Sequence, residues 1–229
     1  MTRTGFRFLV AAAAVLHLAS AGKAAADALS GAFIGANLGR ARNTYNAGLI
    51  DSQLAADASS ASDTITYSEK SVRRMGGAWW FDTGYFVTGY LGIEASFLHA
   101  GEWRYLSTGS VKTSADTRSL TSIVEVISHG PALSLIGRLP LAEAFEVDVR
   151  LGDYLGKAIL DDYLVVGTAS AFAASPKTVS SLLAGIGASY TLAGHCSLRV
   201  DYLRVNKTGN HLTGVFSVNM VTAGLSYTF

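Results

Sequence analysis

The segment 215–229 at the end of the chain alternates strictly between two kinds of side chain and stops on an aromatic residue. In a β-strand, successive side chains face opposite sides of the sheet. One face of this strand is therefore apolar and is formed by Val221, Ala223, Leu225, Tyr227 and Phe229. The other face is small or polar and is formed by Thr222, Gly224, Ser226 and Thr228. An apolar outer face with aromatic rings at the strand end is typical of a transmembrane β-barrel, whose rings lie at the membrane interface.

The other end of the chain has the pattern of a secretory signal. Arg3 and Arg7 precede an apolar run from Phe8 to Ala19, which is too short to cross a bilayer stably, and small residues follow it. We predict a signal peptide over residues 1–26, with cleavage after Ala21 as an alternative. An uncleaved membrane anchor is the competing interpretation.

Composition limits what the remaining residues 27–229 can form. They amount to one domain, and the net charge of +1 for the whole chain gives no reason to expect nucleic acid as a partner. In the whole chain Gly is frequent (24), Pro is rare (3), and Tyr and Phe number 10 each, a mixture that favours strands over a helical bundle. Cys196 is the single cysteine, so no intrachain disulfide is possible. After the signal no apolar run reaches 18 residues, and membrane insertion would have to use strands.

Alternation along the chain predicts eight strands, which we place at 31–42, 72–82, 90–105, 120–139, 145 to about 153, 181–192, 197–206 and 215–229. Pro131 interrupts the fourth strand, and we expect a bulge near Gly130 to accommodate it. The connections alternate between long and short. An even strand count with long outer loops and short turns predicts that both termini lie in the periplasm.

Charged residues in these strands lie on the face opposite the aliphatic stripe. They are Glu94, Glu146, Asp148, Arg150, Arg199 and Asp201, and we expect Arg74 and Arg138 to join them. An arginine at the midplane of the lipid face costs about 2–4 kcal/mol, so this set must face the interior. A soluble lipocalin-like barrel has the reverse polarity. The fold prediction is therefore an all-β, eight-stranded antiparallel up-and-down transmembrane barrel with a polar lumen, in which opposite charges pair.

The strand motifs resemble a known family. The segments Ala32–Gly39, Gly89–Ala95 and Leu198–Tyr202, together with the terminal strand, are similar to the eight-stranded OmpA-like transmembrane domain of Gram-negative outer membranes. The chain stops at Phe229, so the peptidoglycan-binding domain of OmpA is expected to be absent. The resemblance implies an outer-membrane location and a structural, adhesive or resistance role. It also implies outer-membrane lipid and lipopolysaccharide as partners, a partner of unspecified kind at the outer loops, and recognition of the strand ending in Phe229 by the barrel-assembly machinery.

Candidate chemistry is sparse. No metal or nucleotide motif is present in the sequence, and we predict no catalytic, cofactor or metal residues. The run His195-Cys196-Ser197 faintly resembles an H-x-S element of lipid A deacylases, but the predicted topology puts it in a periplasmic turn. His129 with Glu125 or Ser134 lacks a third member.

The sequence therefore predicts a protein without catalysis. A small-pore channel is the alternative, and a lipid A-modifying enzyme is the less favoured one. His99 and His211 are interpreted as structural. Aromatic residues near strand ends are expected to form the interfacial girdles, namely Trp79, Phe81, Trp103, Tyr105, Tyr202, Tyr227 and Phe229.

Overall fold

A computed structural model describes residues 31–210 and 214–229. The predicted signal peptide (1–26) and His211 lie outside these residues. The alternation of apolar and polar residues favours strands, because β-branched and aromatic side chains pack well on a pleated surface that is buried on one side. The described elements are β1 (Ala32–Asn43), α1 (Gly48–Ser60), β2 (Thr64–Arg73), β3 (Met75–Phe86), β4 (Leu91–Lys112), β5 (Thr117–Pro140), β6 (Phe145–Val166), β7 (Ala169–Ala193), β8 (Cys196–Asn210) and β9 (Gly214–Thr228).

Eight of these strands close into an antiparallel barrel, as predicted. Strand β1 pairs with both β3 and β9, and pairing continues through β8, β7, β6, β5 and β4 back to β3. Strand β2 is nearly continuous with β3, interrupted at Arg74, and pairs with the outer half of β4. The hydrogen-bonding edges of the barrel strands are thereby satisfied around the ring, as a membrane-spanning sheet requires.

The strands extend much farther at one end of the barrel than at the other. We call the end with the N-terminus of β1, the C-terminus of β9 and the short turns the terminal end. The opposite end is the extension end. There β4 runs to Lys112, β5 starts at Thr117, β6 runs to Val166 and β7 starts at Ala169. Most of the residues expected to form long loops are therefore strand, and the first long connection holds α1 and β2.

These strand extensions form a wall that rises beyond the barrel. In the wall, β2, β4, β5, β6 and β7 lie side by side in that order. The outer part of β7 is exposed on both faces, so its sequence has no reason to alternate. This is why the sequence predicted that this strand begins only at residue 181.

A bulge in β4 changes which residues face inward. The register with β5 shifts by one residue between His99 and Glu102, and Gly101 has a φ of +77°. The irregularity thus lies in the strand opposite Gly130 and not at Gly130 as predicted. An extra residue turns every later side chain to the other face. Trp103 and Tyr105 consequently point into the barrel and are almost fully buried, so their prediction as girdle residues was wrong.

The outward face carries an apolar band near the terminal end. Its exposed aliphatic side chains include Ile34, Leu38, Ile93, Leu133, Val149, Ile186, Val200 and Leu225. The remaining predicted girdle residues point outward, as expected: Trp79, Phe81, Tyr202, Tyr227 and Phe229. Among the described residues, no helix has the length and apolar character to span a membrane.

Candidate functional site: the charged layer of the lumen

A layer of charged side chains crosses the barrel interior near the terminal end. Strand β3 supplies Asp82, β4 supplies Glu94, β6 supplies Asp148 and Arg150, and β8 supplies Arg199 and Asp201. All six are buried, with exposed fractions of 0 to 6%. We call this set the ionic layer.

Arg150 is the centre of the ionic layer. Its Nε lies 3.0 Å from Glu94 Oε2, its Nη1 lies 2.6 Å from Asp201 Oδ1, and its Nη2 lies 2.9 Å from Asp148 Oδ1. The guanidinium therefore meets carboxylates from three strands, and it joins β4, β6 and β8 across the lumen. The planar fork of arginine suits this role because it presents several fixed donors at once.

Arg199 forms the second half of the layer. Its Nη1 lies 2.7 Å from Asp82 Oδ2, and its Nη2 lies 3.6 Å from Asp201 Oδ1. The side chain of Asn37 donates to Asp82 Oδ1 at 3.1 Å. Asp201 thus contacts both guanidinium groups and connects the two halves of the network.

Trp80 roofs the ionic layer. Its ring lies 5.1 Å from the guanidinium carbon of Arg150 and 5.2 Å from that of Arg199. Its indole N–H donates to Thr222 at 3.0 Å, so the buried ring is oriented by a hydrogen bond. Both arginines therefore lie against an aromatic face as well as against carboxylates.

Most of the predicted lumen residues are confirmed. Arg138 and Glu146 lie at the terminal-end mouth, 3.5 Å apart, and Arg138 lies 3.8 Å from the ring centroid of Phe86. Arg74 is an exception, because it is exposed at the break between β2 and β3. Asp82 was missed, although its two-residue spacing from Trp80 placed it on the inward face.

Toward the extension end the lumen becomes apolar, a layer that the sequence did not predict. The side chains that fill it are Trp103, Tyr154, Leu98, Leu183, Leu203 and Met220. Strand alternation does not indicate this layer, for two reasons. Trp103 lies beyond the bulge in β4, where alternation alone predicts an outward side chain. The other apolar residues of the layer share a strand face with polar or charged residues.

Helix α1 and the segment before it cover the extension end of the lumen. The Tyr45 ring lies 4.5 Å from Trp103 and 5.7 Å from Phe216. Asp51 of α1 lies 2.6 Å from Lys70 Nζ and accepts a hydrogen bond from the Tyr105 hydroxyl. Burial, followed by the hydrogen bond to Asp51, holds the pKa of Tyr105 far above its usual value. The neutral phenol therefore stays available as a donor that anchors the helix.

A cavity of about 60 Å³ opens at the terminal end, lined by residues that include Phe33, Ile136, Arg138, Ser189, Thr228 and the inner surface of the ionic layer. The cavity ends at Asp148, Arg150 and Arg199. Beyond it lie the ionic layer, the apolar layer and α1 in turn. Side chains of the ionic layer, the apolar layer and α1 therefore lie across the interior one above another.

The residues considered for catalysis are not brought together. His129 lies on the outward face and Ser134 is buried in the lumen, while Glu125 pairs with Arg104 at 3.2 Å. His195 lies in the turn between β7 and β8, with its ring 5.7 Å from that of Tyr227. Within residues 31–210 and 214–229, no three His, Cys, Asp or Glu side chains are close enough to hold a metal ion.

Comparison with known proteins identifies the fold. The sequence model of the OmpA-like transmembrane domain matches residues 30–229. Neisserial surface protein A has the same fold, with 15% identity and a TM-score of 0.51 over 87% of this chain and 98% of that one. OprG of Pseudomonas aeruginosa aligns at 15% identity and a TM-score of 0.39, over 87% of this chain and 96% of that one. Among curated protein sequences none matches significantly.

Proposed function

The chain belongs to the OmpA-like transmembrane domain family, and we propose that it is an outer-membrane surface protein that binds a partner through its wall, with a closed lumen and no catalysis. In this proposal both termini lie in the periplasm, the extension end faces outward, and the strand ending in Phe229 is read by the barrel-assembly machinery. Lipopolysaccharide and other lipids surround the apolar band.

The free edge of β7 is the observation that supports this proposal. Pairing between β7 and β8 begins at Leu182 and Asn206, and in the described residues no strand pairs with that edge of β7 from 169 to 181. This edge is about 40 Å long at 3.3 Å per residue. Unpaired backbone groups on a strand edge can take up an additional strand from another protein.

Exposed aromatic rings lie beside this edge. Phe172 is 65% exposed, and its register partner Tyr163 on β6 is 42% exposed. Both lie near the tip of the β6–β7 hairpin, away from the apolar band. Large exposed rings outside the membrane region favour a binding surface. The tip therefore offers backbone hydrogen bonds and apolar area together.

An adhesion assay with shortened hairpins tests the role of the wall. Removing residues 161–174 and joining the register partners Leu160 and Ser175 through a two-residue turn shortens the β6–β7 hairpin but leaves the barrel intact. The matched control removes residues 109–120 and joins Thr108 to Thr121 in the β4–β5 hairpin. Cells displaying the unaltered protein should adhere to immobilised extracellular proteins, and the first deletion should reduce this adherence more than the second. Equal adherence of cells with and without the protein would refute the proposal.

The small-pore alternative predicts a different result. The ionic layer, the apolar layer and α1 lie across the interior, and an eight-stranded barrel has room for little beyond its own side chains. We expect purified, folded protein to give no large stable openings in planar bilayers. Sustained openings that change on substitution of Arg150 would favour the pore.

A further inference from the structure

Three arginines lie just beyond the apolar band at the extension end, on the two strands that flank β9. Arg40 and Arg42 on β1 and Arg204 on β8 are exposed and point outward. No hydrogen bond or ion pair joins the side chain of Arg40 or Arg42 to another described residue. Strands β1 and β9 contain no Asp or Glu, and Asp201, the one acid of β8, faces the lumen. We call these three residues the arginine cluster.

The strand register brings the members of the arginine cluster together. Asn219 on β9 is the register partner of Arg42 on one side and of Arg204 on the other. Directly opposed residues in an antiparallel pair have Cβ atoms about 5 Å apart, so Arg42 and Arg204 flank Asn219 within reach of a common ligand. Arg40 lies two residues before Arg42 on the same face, toward the apolar band.

Asn219 is oriented so that it can donate a hydrogen bond to this ligand. Its Oδ1 accepts the Tyr202 hydroxyl at 2.9 Å and Arg204 Nη1 at 3.4 Å. The amide NH₂ therefore remains as a donor between two guanidinium groups. Donors from three strands with no carboxylate among them are suited to an anion, and arginine matches the geometry of phosphate.

Other positive charges toward the extension end are arranged differently. Arg104 on β4 pairs with Glu125 on β5 at 3.2 Å. Arg73, Arg74 and Lys157 are exposed, and none of them forms an ion pair with another described residue. The arginine cluster differs from these residues because two of its members flank the same hydrogen-bonding side chain, that of Asn219.

Exposed apolar side chains lie directly below the arginine cluster. Leu38, Val200 and Val221 are 70, 51 and 57% exposed, and Val221 is the register partner of Arg40. An acyl chain could lie along them while its headgroup meets the arginines. From this arrangement we infer that Arg40, Arg42, Arg204 and Asn219 bind the phosphate of an anionic membrane lipid, whose headgroup carries no cation to compensate it. The inference deepens the lipid-partner part of the proposed function and does not depend on adhesion through the wall.

Lipid binding to the full chain in detergent micelles tests this inference. The probes are phosphatidylglycerol, zwitterionic phosphatidylcholine and inorganic phosphate, and the readout is the number of lipids retained in native mass spectrometry together with thermal stability. The test variant is R42Q/R204Q, and the matched control is R104Q, which removes a paired arginine at the same level. A basic residue near an anionic lipid contributes about fivefold in affinity, so the double variant should bind phosphatidylglycerol about 25-fold more weakly.

We expect phosphatidylglycerol, but not phosphatidylcholine, to be retained and to stabilise the unaltered protein and R104Q. The R42Q/R204Q variant should lose this response. An unchanged response in the double variant would overturn the site, and an equal effect of inorganic phosphate would overturn the assignment to a lipid. If R42Q/R204Q does not refold, as judged by heat-modifiable gel mobility, R42K/R204K preserves charge and should keep at least half of the retention. Loss of retention in that folded variant would also count against the inference.

Discussion

Replacing Arg150 by methionine tests whether the ionic layer stabilises the barrel as a network. The layer contains four carboxylates, those of Asp82, Glu94, Asp148 and Asp201, and only two guanidinium groups. Arg150 contacts three of these carboxylates at 3.0 Å or less and is 1% exposed. Its removal leaves uncompensated buried charge, for which about 3–5 kcal/mol is the usual loss. We expect R150M to lower the free energy of unfolding by this amount.

Equilibrium unfolding in urea provides the measurement, with folded protein in lipid vesicles and tryptophan fluorescence as the signal. R104M is the matched control, because the side chains of Arg104 and Glu125 are 45% and 32% exposed, respectively. Exposed ion pairs of this kind contribute about 0–1 kcal/mol to the free energy of unfolding. A second variant, E94Q, removes one of the surplus carboxylates and should cost less than R150M. An R150M loss below about 1 kcal/mol, or one equal to that of R104M, would show that the layer is solvated and loosely paired.

Three further predictions concern the bulge, the wall and the terminal strand. Gly101 has a φ of +77°, and an added Cβ would lie 2.9 Å from the Cβ of Ala41. G101A should therefore reduce the free energy of unfolding by about 1–2 kcal/mol or more. G77A is the control and should not reduce it, because no atom lies within 4 Å of the added Cβ. Burial raises the pKa of Asp162, so the wild-type stability should fall as pH rises through that raised pKa. D162N should raise the melting temperature at neutral pH and lose its advantage below the ordinary pKa of an aspartate. F229S should lower the fraction of protein in the outer membrane that shows heat-modifiable gel mobility, while T228S should leave it unchanged.

The membrane part of the fold could be predicted from sequence because one face of each strand meets lipid and the other meets the lumen. Ile34, Asn37 and Leu38 show this alternation in β1, and Leu198, Arg199 and Val200 show it in β8. Charged residues on the inward face then identified most of the ionic layer. Their partners could not be predicted, because pairing across the lumen depends on the relative heights of strands that are distant in sequence.

The wall could not be predicted for the opposite reason. Outside the membrane neither face of a strand must be apolar, so Ala171, Phe172 and Ala173 carry no period of two. Strand structure there is imposed by pairing with β6, whose register continues unchanged from Phe145 to Val166. The pairing extends a hairpin whose base is already fixed by the barrel.

The bulge at Gly101 shows how one residue determines the character of the interior. Without it, Trp103 and Tyr105 would continue on the outward face with Phe97, and the apolar layer would lose its largest ring. With it, the same strand presents apolar side chains to lipid below and to the lumen above. Tyr105 then lies where it can donate to Asp51 and hold α1 over the extension end. Closure of the lumen at that end therefore depends on a single inserted residue in β4, and the positive φ explains why glycine occupies the position.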